Sequence, residues 1–257
     1  MMGDALAALA ALLILPTVYF GPRALVLALV SMTACAAFDI LACLIFRHTF
    51  GSGDPSALVT GLTIALLLPV NAPYWLPALA GAFAILVVKM PLGFTGRNLF
   101  NPAAAGVAFV TVCQPDLVFL YANPTAGWLD LANEITVVLG ASPGSALLEG
   151  LKPSIMPHDL LWGVYPGPMG CTAALVIGAG ALLLLARRTI RWEPLAFFLL
   201  TTALVAALFP RIYCTALPPV KYRPAHGSLL FCAVFLPGAP VTSPRTRTAR
   251  RVFGVLG

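Results

Sequence analysis

The sequence predicts an all-α polytopic membrane protein, an inverted-repeat helical bundle containing half-helices. Three observations predict it. Of the 257 residues, 60% are hydrophobic and only 9% charged, with a mean hydropathy of +0.95; a soluble domain carries about 25% charged residues. Apolar runs recur with Gly, Pro or charge between them, near the roughly 20 residues that cross a bilayer. Two apolar pieces, about 57–69 and 228–236, are too short to cross. Paired short segments in corresponding places mark inverted repeats in membrane proteins.

The elements follow in order. Span 1, about 5–20, ends at Phe20-Gly21-Pro22-Arg23. Its start lacks the charged region and cleavage pattern of a signal peptide. Span 2, about 24–46, ends at Arg47-His48, and the loop Gly51-Ser52-Gly53-Asp54-Pro55 leads into the first half-helix. Span 4, about 74–90, closes with Lys89, and a broken segment, 91–101, opens span 5, about 102–114. Residues 115–165 are the longest polar stretch, rich in Pro, Gly, Asn and Asp. Span 6, about 169–186, ends at Arg187-Arg188; span 7, about 194–209, precedes a loop, the second half-helix and a basic tail. The chain therefore divides into a first membrane repeat (1–114, spans 1–5), an extracytoplasmic loop (115–165) and a partial second repeat (166–257). A full second repeat would need two more spans after residue 240.

Charge placement gives topology. With the 47–55, 89–101 and 187–193 loops and the tail in the cytoplasm, that side holds Arg47, Lys89, Arg97, Arg187, Arg188, Arg191, Arg245, Arg247, Arg250 and Arg251. The other side holds Arg23, Lys152, Arg211, Lys221 and Arg223. The bias of ten to five puts the N-terminus inside by the positive-inside rule. Span ends thus account for the net charge of +6, and no basic–aromatic interleaving points to nucleic acid. The partner implied by composition is lipid. The six cysteines include no Cys-x-x-Cys pair, so they read as small buried hydrophobes. His48, His158 and His226 have no metal-ligand spacing, and no metal site is expected.

Three features are candidates for chemistry. The run Thr95-Gly96-Arg97-Asn98-Leu99-Phe100-Asn101-Pro102 breaks the chain at membrane depth, where irregular backbone must be buried in protein or line a site. Asn101 before Pro102 reads as a helix cap. Asn98 and Asn101 together read as lining a cofactor or ion path opposite Thr60 and Gly61 of the half-helix. Asp39 is the acid well inside a span. It is either an ion-path ligand or the partner of Arg47 or Arg97 near the interface.

These residues bring a resemblance. Asp54-Pro55-Ser56-Ala57-Leu58-Val59-Thr60-Gly61-Leu62, Leu68-Pro69, Pro73-Tyr74-Trp75, Lys89 and Gly96-Arg97-Asn98-Leu99-Phe100-Asn101-Pro102-Ala103 resemble the D subunit of Rnf-type ion-translocating oxidoreductases. The B subunit of sodium-translocating NADH:quinone reductases is the close relative. Asp159-Leu160-Leu161-Trp162-Gly163, Pro166-Gly167-Pro168-Met169-Gly170, Arg187-Arg188-Thr189-Ile190-Arg191-Trp192 and Pro240-Val241-Thr242-Ser243-Pro244 follow in order. The resemblance implies a urea-channel-like fold in a bacterial inner (plasma) membrane. It implies a subunit that carries FMN and couples electron transfer between ferredoxin and NAD to sodium or proton movement. It also implies iron–sulfur and membrane partner subunits, and a flavin transferase.

The family joins FMN through a phosphoester to a hydroxyl, and Ser142 falls on that position. Thr136 and Leu139 depart from the family's attachment pattern, Cys171 replaces its usual acid, and Ala239 its usual Asp. A second, noncovalent flavin stays open. The chain has no nicotinamide-binding Gly-rich turn and no iron–sulfur ligand set, so it is not expected to catalyse alone. The alternatives are a channel or transporter sharing the fold without a redox role, and a truncated inactive copy.

Overall fold

The computed structural model describes residues 2–45, 55–92, 101–124, 139–140, 157–208 and 227–236, with isolated positions 249, 252, 254 and 255. These residues are helical apart from their connections and one two-residue antiparallel pair. The first two helices, α1 (Met2–Phe20) and α2 (Pro22–Ile45), are long and apolar enough to cross a bilayer. They meet at Gly21, whose φ of 77° is left-handed and whose N–H donates to the Thr17 carbonyl at 3.0 Å. Only a glycine ends a helix this way cheaply, and Pro22 then starts α2 with its φ already helical. Pro16 interrupts the bonding inside α1; the Thr17 hydroxyl adds a bond there, to the Leu13 carbonyl at 2.7 Å.

The half-helix α3 (Ser56–Leu67) is 12 residues long, about 18 Å at 1.5 Å per residue. It is the most enclosed element, packed against α1, α2, α4 and α5, with Thr60 to Leu66 buried without a break. Its crossing with α2 is close because Gly61 has no side chain. A β-carbon there would lie 2.8 Å from both Met32 Cα and the Ser31 carbonyl oxygen. The Ser31 hydroxyl donates to the Gly61 carbonyl at 2.6 Å.

Helix α4 runs as α-helix over Trp75–Ala82, widens to a π-helix over Phe83–Lys89 and closes with Met90–Leu92. Helix α5 (Pro102–Cys113) lies along it, with Phe83 and Phe109 stacked at 4.2 Å. The stretch read from sequence as a polar loop holds α6 (Pro115–Val118), α7 (Pro157–Trp162) and the strand pair β1 (Tyr121–Ala122) and β2 (Leu139–Gly140). Then come α8 (Ala174–Ala186), α9 (Trp192–Leu208) and the second half-helix α10 (Gly227–Phe235).

Both half-helices fall where their short apolar runs predict. Span 6 does not start at 169: α8 begins at Ala174, because residues 169–171 bond to α3 instead. Large apolar side chains point outward on several helices, among them Ile14, Leu29, Leu44, Leu182 and Leu200. That surface suits lipid rather than water.

Candidate functional site

The chemistry gathers at the two ends of α3. At its N-terminal end, Lys89 Nζ donates to Asp39 Oδ1 at 2.8 Å and to Ser56 Oγ at 2.9 Å. Lys89 is 3% exposed and Asp39 16%. Three elements assemble this cluster. α2 supplies Asp39, α3 begins with Ser56, and Lys89 ends the π-helical stretch, a feature that often marks functional positions. Thr60, one turn into α3, donates its hydroxyl to the Ser56 carbonyl at 2.9 Å. Cys35, one turn before Asp39, is fully buried against Gly81. The cation sits at the positive pole of the α3 dipole, where a cation is disfavoured. The carboxylate is what makes its burial tolerable.

At the C-terminal end, the last α3 carbonyls need donors from outside the helix. Gly170 N–H donates to the Leu66 carbonyl at 2.8 Å and Met169 N–H to that of Leu68 at 3.1 Å. A β-carbon on Gly170 would meet Leu66 Cβ at 2.5 Å, so this approach requires glycine. Just beyond, Arg23 is 2% exposed. Its Nε donates to the Val70 carbonyl at 3.1 Å and its Nη2 to that of Ala72 at 3.4 Å. Its guanidinium lies 5.1 Å from the centre of the Tyr74 ring. Asn71, between those two carbonyls, has a buried Oδ1 with no hydrogen-bond donor among the described residues.

A third contact joins the start of α5 to the end of α10. Asn101 Oδ1 accepts from Ala103 N–H at 3.0 Å, capping α5, while its Nδ2 donates to the Leu236 carbonyl just past α10 at 3.3 Å. One side chain thus closes the start of α5 and binds it to the end of α10.

A model of the NQR2, RnfD, RnfE family matches residues 1–257. The chain belongs to that family. The D subunit of an ion-translocating oxidoreductase complex from Halorhodospira halophila is 32% identical over 79% of this chain and 64% of its own length. The D subunit of a Na(+)-translocating ferredoxin:NAD(+) oxidoreductase complex from Acetobacterium woodii is 31% identical over 92% of this chain and 70% of its own. The B subunit of a Na(+)-translocating NADH-quinone reductase from Pseudomonas paraeruginosa is 30% identical over 85% of this chain and 54% of its own. The chain thus spans between about half and about two-thirds of the length of these family members.

Several expectations for this NQR2, RnfD, RnfE chain now have a place in the fold. Asp39 pairs with Lys89, not with Arg47 or Arg97, which lie outside the described residues, as do Asn98 and Ser142. Lys89 and Arg23, counted as span-end charges, are both buried and bonded. Asn101 does cap its helix. Thr60 and Gly61 are inside the bundle, and Gly61 lies against α2. Lys89, Ser56, Arg23 and Asn71 were missed as site residues. Lys89 had a readable signal: a lone acid and a lone base in neighbouring apolar spans are candidates to pair. Among the described residues no group of His, Cys, Asp and Glu could hold a metal ion, and the five described cysteines are free thiols.

Proposed function

We propose that this chain is a membrane subunit of an ion-translocating oxidoreductase, carrying FMN and coupling electron transfer between ferredoxin and NAD to sodium or proton movement. The observation that carries the reading is the family match over the full chain, together with relatives whose names state ion-translocating oxidoreductase activity. The flavin would be joined by its phosphate to the Ser142 hydroxyl. β2 is held in register by β1, with Tyr121 opposite Gly140 and Ala122 opposite Leu139, and Ser142 follows two positions after this anchored strand. The donor chemistry fits a phosphoester. FMN supplies the one- and two-electron chemistry, and the protein supplies its placement and surroundings. Nicotinamide and iron–sulfur chemistry belong to partner subunits, and a flavin transferase makes the ester.

The architecture of the repeats supports a urea-channel-like inverted pair. In each half two longer helices precede a half-helix, and α3 packs on α1 and α2 as α10 does on α8 and α9. The orientation reading also survives the burial of Lys89 and Arg23. Without those two the charge bias is nine to four, still favouring a cytoplasmic N-terminus in the inner membrane.

A redox-free channel or transporter is the second reading, favoured by Thr136, Leu139 and Cys171 at family positions of other chemistry. In-gel flavin fluorescence of the denatured chain, co-expressed with a flavin transferase, separates the two. A fluorescent band lost in Ser142→Ala supports the flavoprotein. A dark band from the unmodified chain favours the channel.

A further inference from the structure

We propose that the turn joining α8 to α9 binds the phosphate of an anionic phospholipid through Arg188 and Arg191. The turn holds three exposed arginines, Arg187, Arg188 and Arg191. Its backbone is fixed from inside. Thr189 and Ile190 are buried. Thr189 N–H donates to the Leu184 carbonyl at 2.9 Å, and Arg188 N–H to that of Leu185 at 3.0 Å. Asp4, at the start of α1, accepts from Arg187 Nη1 at 2.5 Å and from Thr189 Oγ1 at 3.3 Å. That carboxylate is therefore committed to Arg187. Glu193, the acid that follows, has its Oε2 buried. Arg188 and Arg191 remain exposed, with no ion pair among the described residues.

The backbone of Arg188 argues that its side chain is used. Its φ of 55° is left-handed, and it follows the C-cap Arg187, where glycine is the usual residue. A β-carbon strains that conformation. A charge that serves topology alone counts by its side of the membrane and could sit on unstrained backbone. An arginine held where glycine is easier points to the guanidinium itself, whose fork takes phosphate oxygens in pairs.

The surroundings select a lipid as the source of that phosphate. Trp192, next to Arg191, is 64% exposed, as suits an indole at headgroup level. The outward stripe of α8 leads up to the turn. Leu175 and Leu182 are exposed on it, and a β-carbon on Gly178, between them at helical spacing, would meet open space. An acyl chain can lie in that notch while its phosphate meets the arginines. This binding does not rest on the flavin or on electron transfer.

The test uses the purified full chain in dodecyl maltoside micelles. Melting is followed by tryptophan fluorescence as phosphatidylglycerol, phosphatidylcholine, sodium phosphate or poly-glutamate is added. Phosphatidylglycerol should raise the melting point, and the other three should not. Arg188→Gly relieves the strain, so in phosphatidylcholine it should melt no lower than the unmodified chain. Its half-saturating fraction of phosphatidylglycerol should nevertheless rise about fivefold, the worth of one arginine at an anionic surface. Arg188→Gly with Arg191→Gln should raise it about 25-fold. Arg191→Gln alone is the further variant should Arg188→Gly not fold, with the same fivefold rise expected of it.

An unchanged response to phosphatidylglycerol in the double variant overturns the proposal, as does an equal gain from phosphatidylcholine. A matching gain from sodium phosphate makes the turn a free-anion site and overturns the lipid. A gain from poly-glutamate without one from phosphatidylglycerol assigns the arginines to an acidic polypeptide and overturns it likewise.

Discussion

The two ends of α3 hold buried positive charge by opposite means. At the N-terminal end the helix dipole opposes Lys89, and a single carboxylate makes its burial possible. At the C-terminal end two backbone carbonyls and an aromatic face receive the Arg23 fork. The first arrangement depends on charge balance. The second depends on directed donors at fixed positions, and charge alone will not replace it. The difference marks the N-terminal end as a charge-balanced pair and the C-terminal end as a fixed joint.

The largest effect should come from breaking the balance. Asp39→Ala leaves the Lys89 ammonium buried and uncompensated, which costs about 3–5 kcal/mol. Replacing both partners, Asp39→Asn with Lys89→Met, should recover most of that loss, because neutral packing often equals or exceeds a buried pair. Melting of the three chains in detergent decides it. A double variant as unstable as Asp39→Ala would mean that geometry, not charge, governs this end too.

Arg23 sharpens the contrast from the other side. Arg23→Met leaves the Val70 and Ala72 carbonyls without these donors, a loss of about 2 kcal/mol. Arg23→Lys keeps the charge but not the fork, and should restore less than half of it. Full restoration by lysine would erase the distinction between the two ends.

Packing between the ends comes next. Gly61→Ala puts a methyl 2.8 Å from the Met32 Cα and the Ser31 carbonyl oxygen. Those are backbone atoms, so α2 and α3 must separate, at a cost of about 1–3 kcal/mol. A melting point equal to that of the unmodified chain would show that the crossing has slack.

How far the sequence revealed this arrangement depends on whether the determining contact is local. Both half-helices were legible, since run length and flanking Pro or Gly bound them. The Asn101 cap was legible because Asn-Pro at a helix start is a local signal. The Asp39–Lys89 pair was legible only as a candidate, a lone acid and a lone base in neighbouring spans; its members are 50 positions apart and meet only when α2, α3 and α4 pack. Arg23 looks like a topological charge after Gly21-Pro22, and only the fold shows it turned inward onto carbonyls. The start of α8 was misplaced because Met169, Gly170 and Cys171 are as apolar as a helix requires. Tertiary bonding to Leu66 and Leu68 holds them out of it.

Asn101 is the smallest of these tests, and it asks whether one local signal has a second use. Asn101→Ala removes both the cap on Ala103 N–H and the donor to the Leu236 carbonyl. Loss of the cap alone costs about 1 kcal/mol. Asn101→Ser keeps a capping oxygen but has no amide to reach α10. If serine restores the melting point of the unmodified chain, the side chain is only a cap, and the end of α10 is held by other contacts. If serine falls between alanine and asparagine, the amide ties the end of α10 to the start of α5. In that case a shift of α10 pulls directly on the start of α5, which packs along the same α4 that carries Lys89.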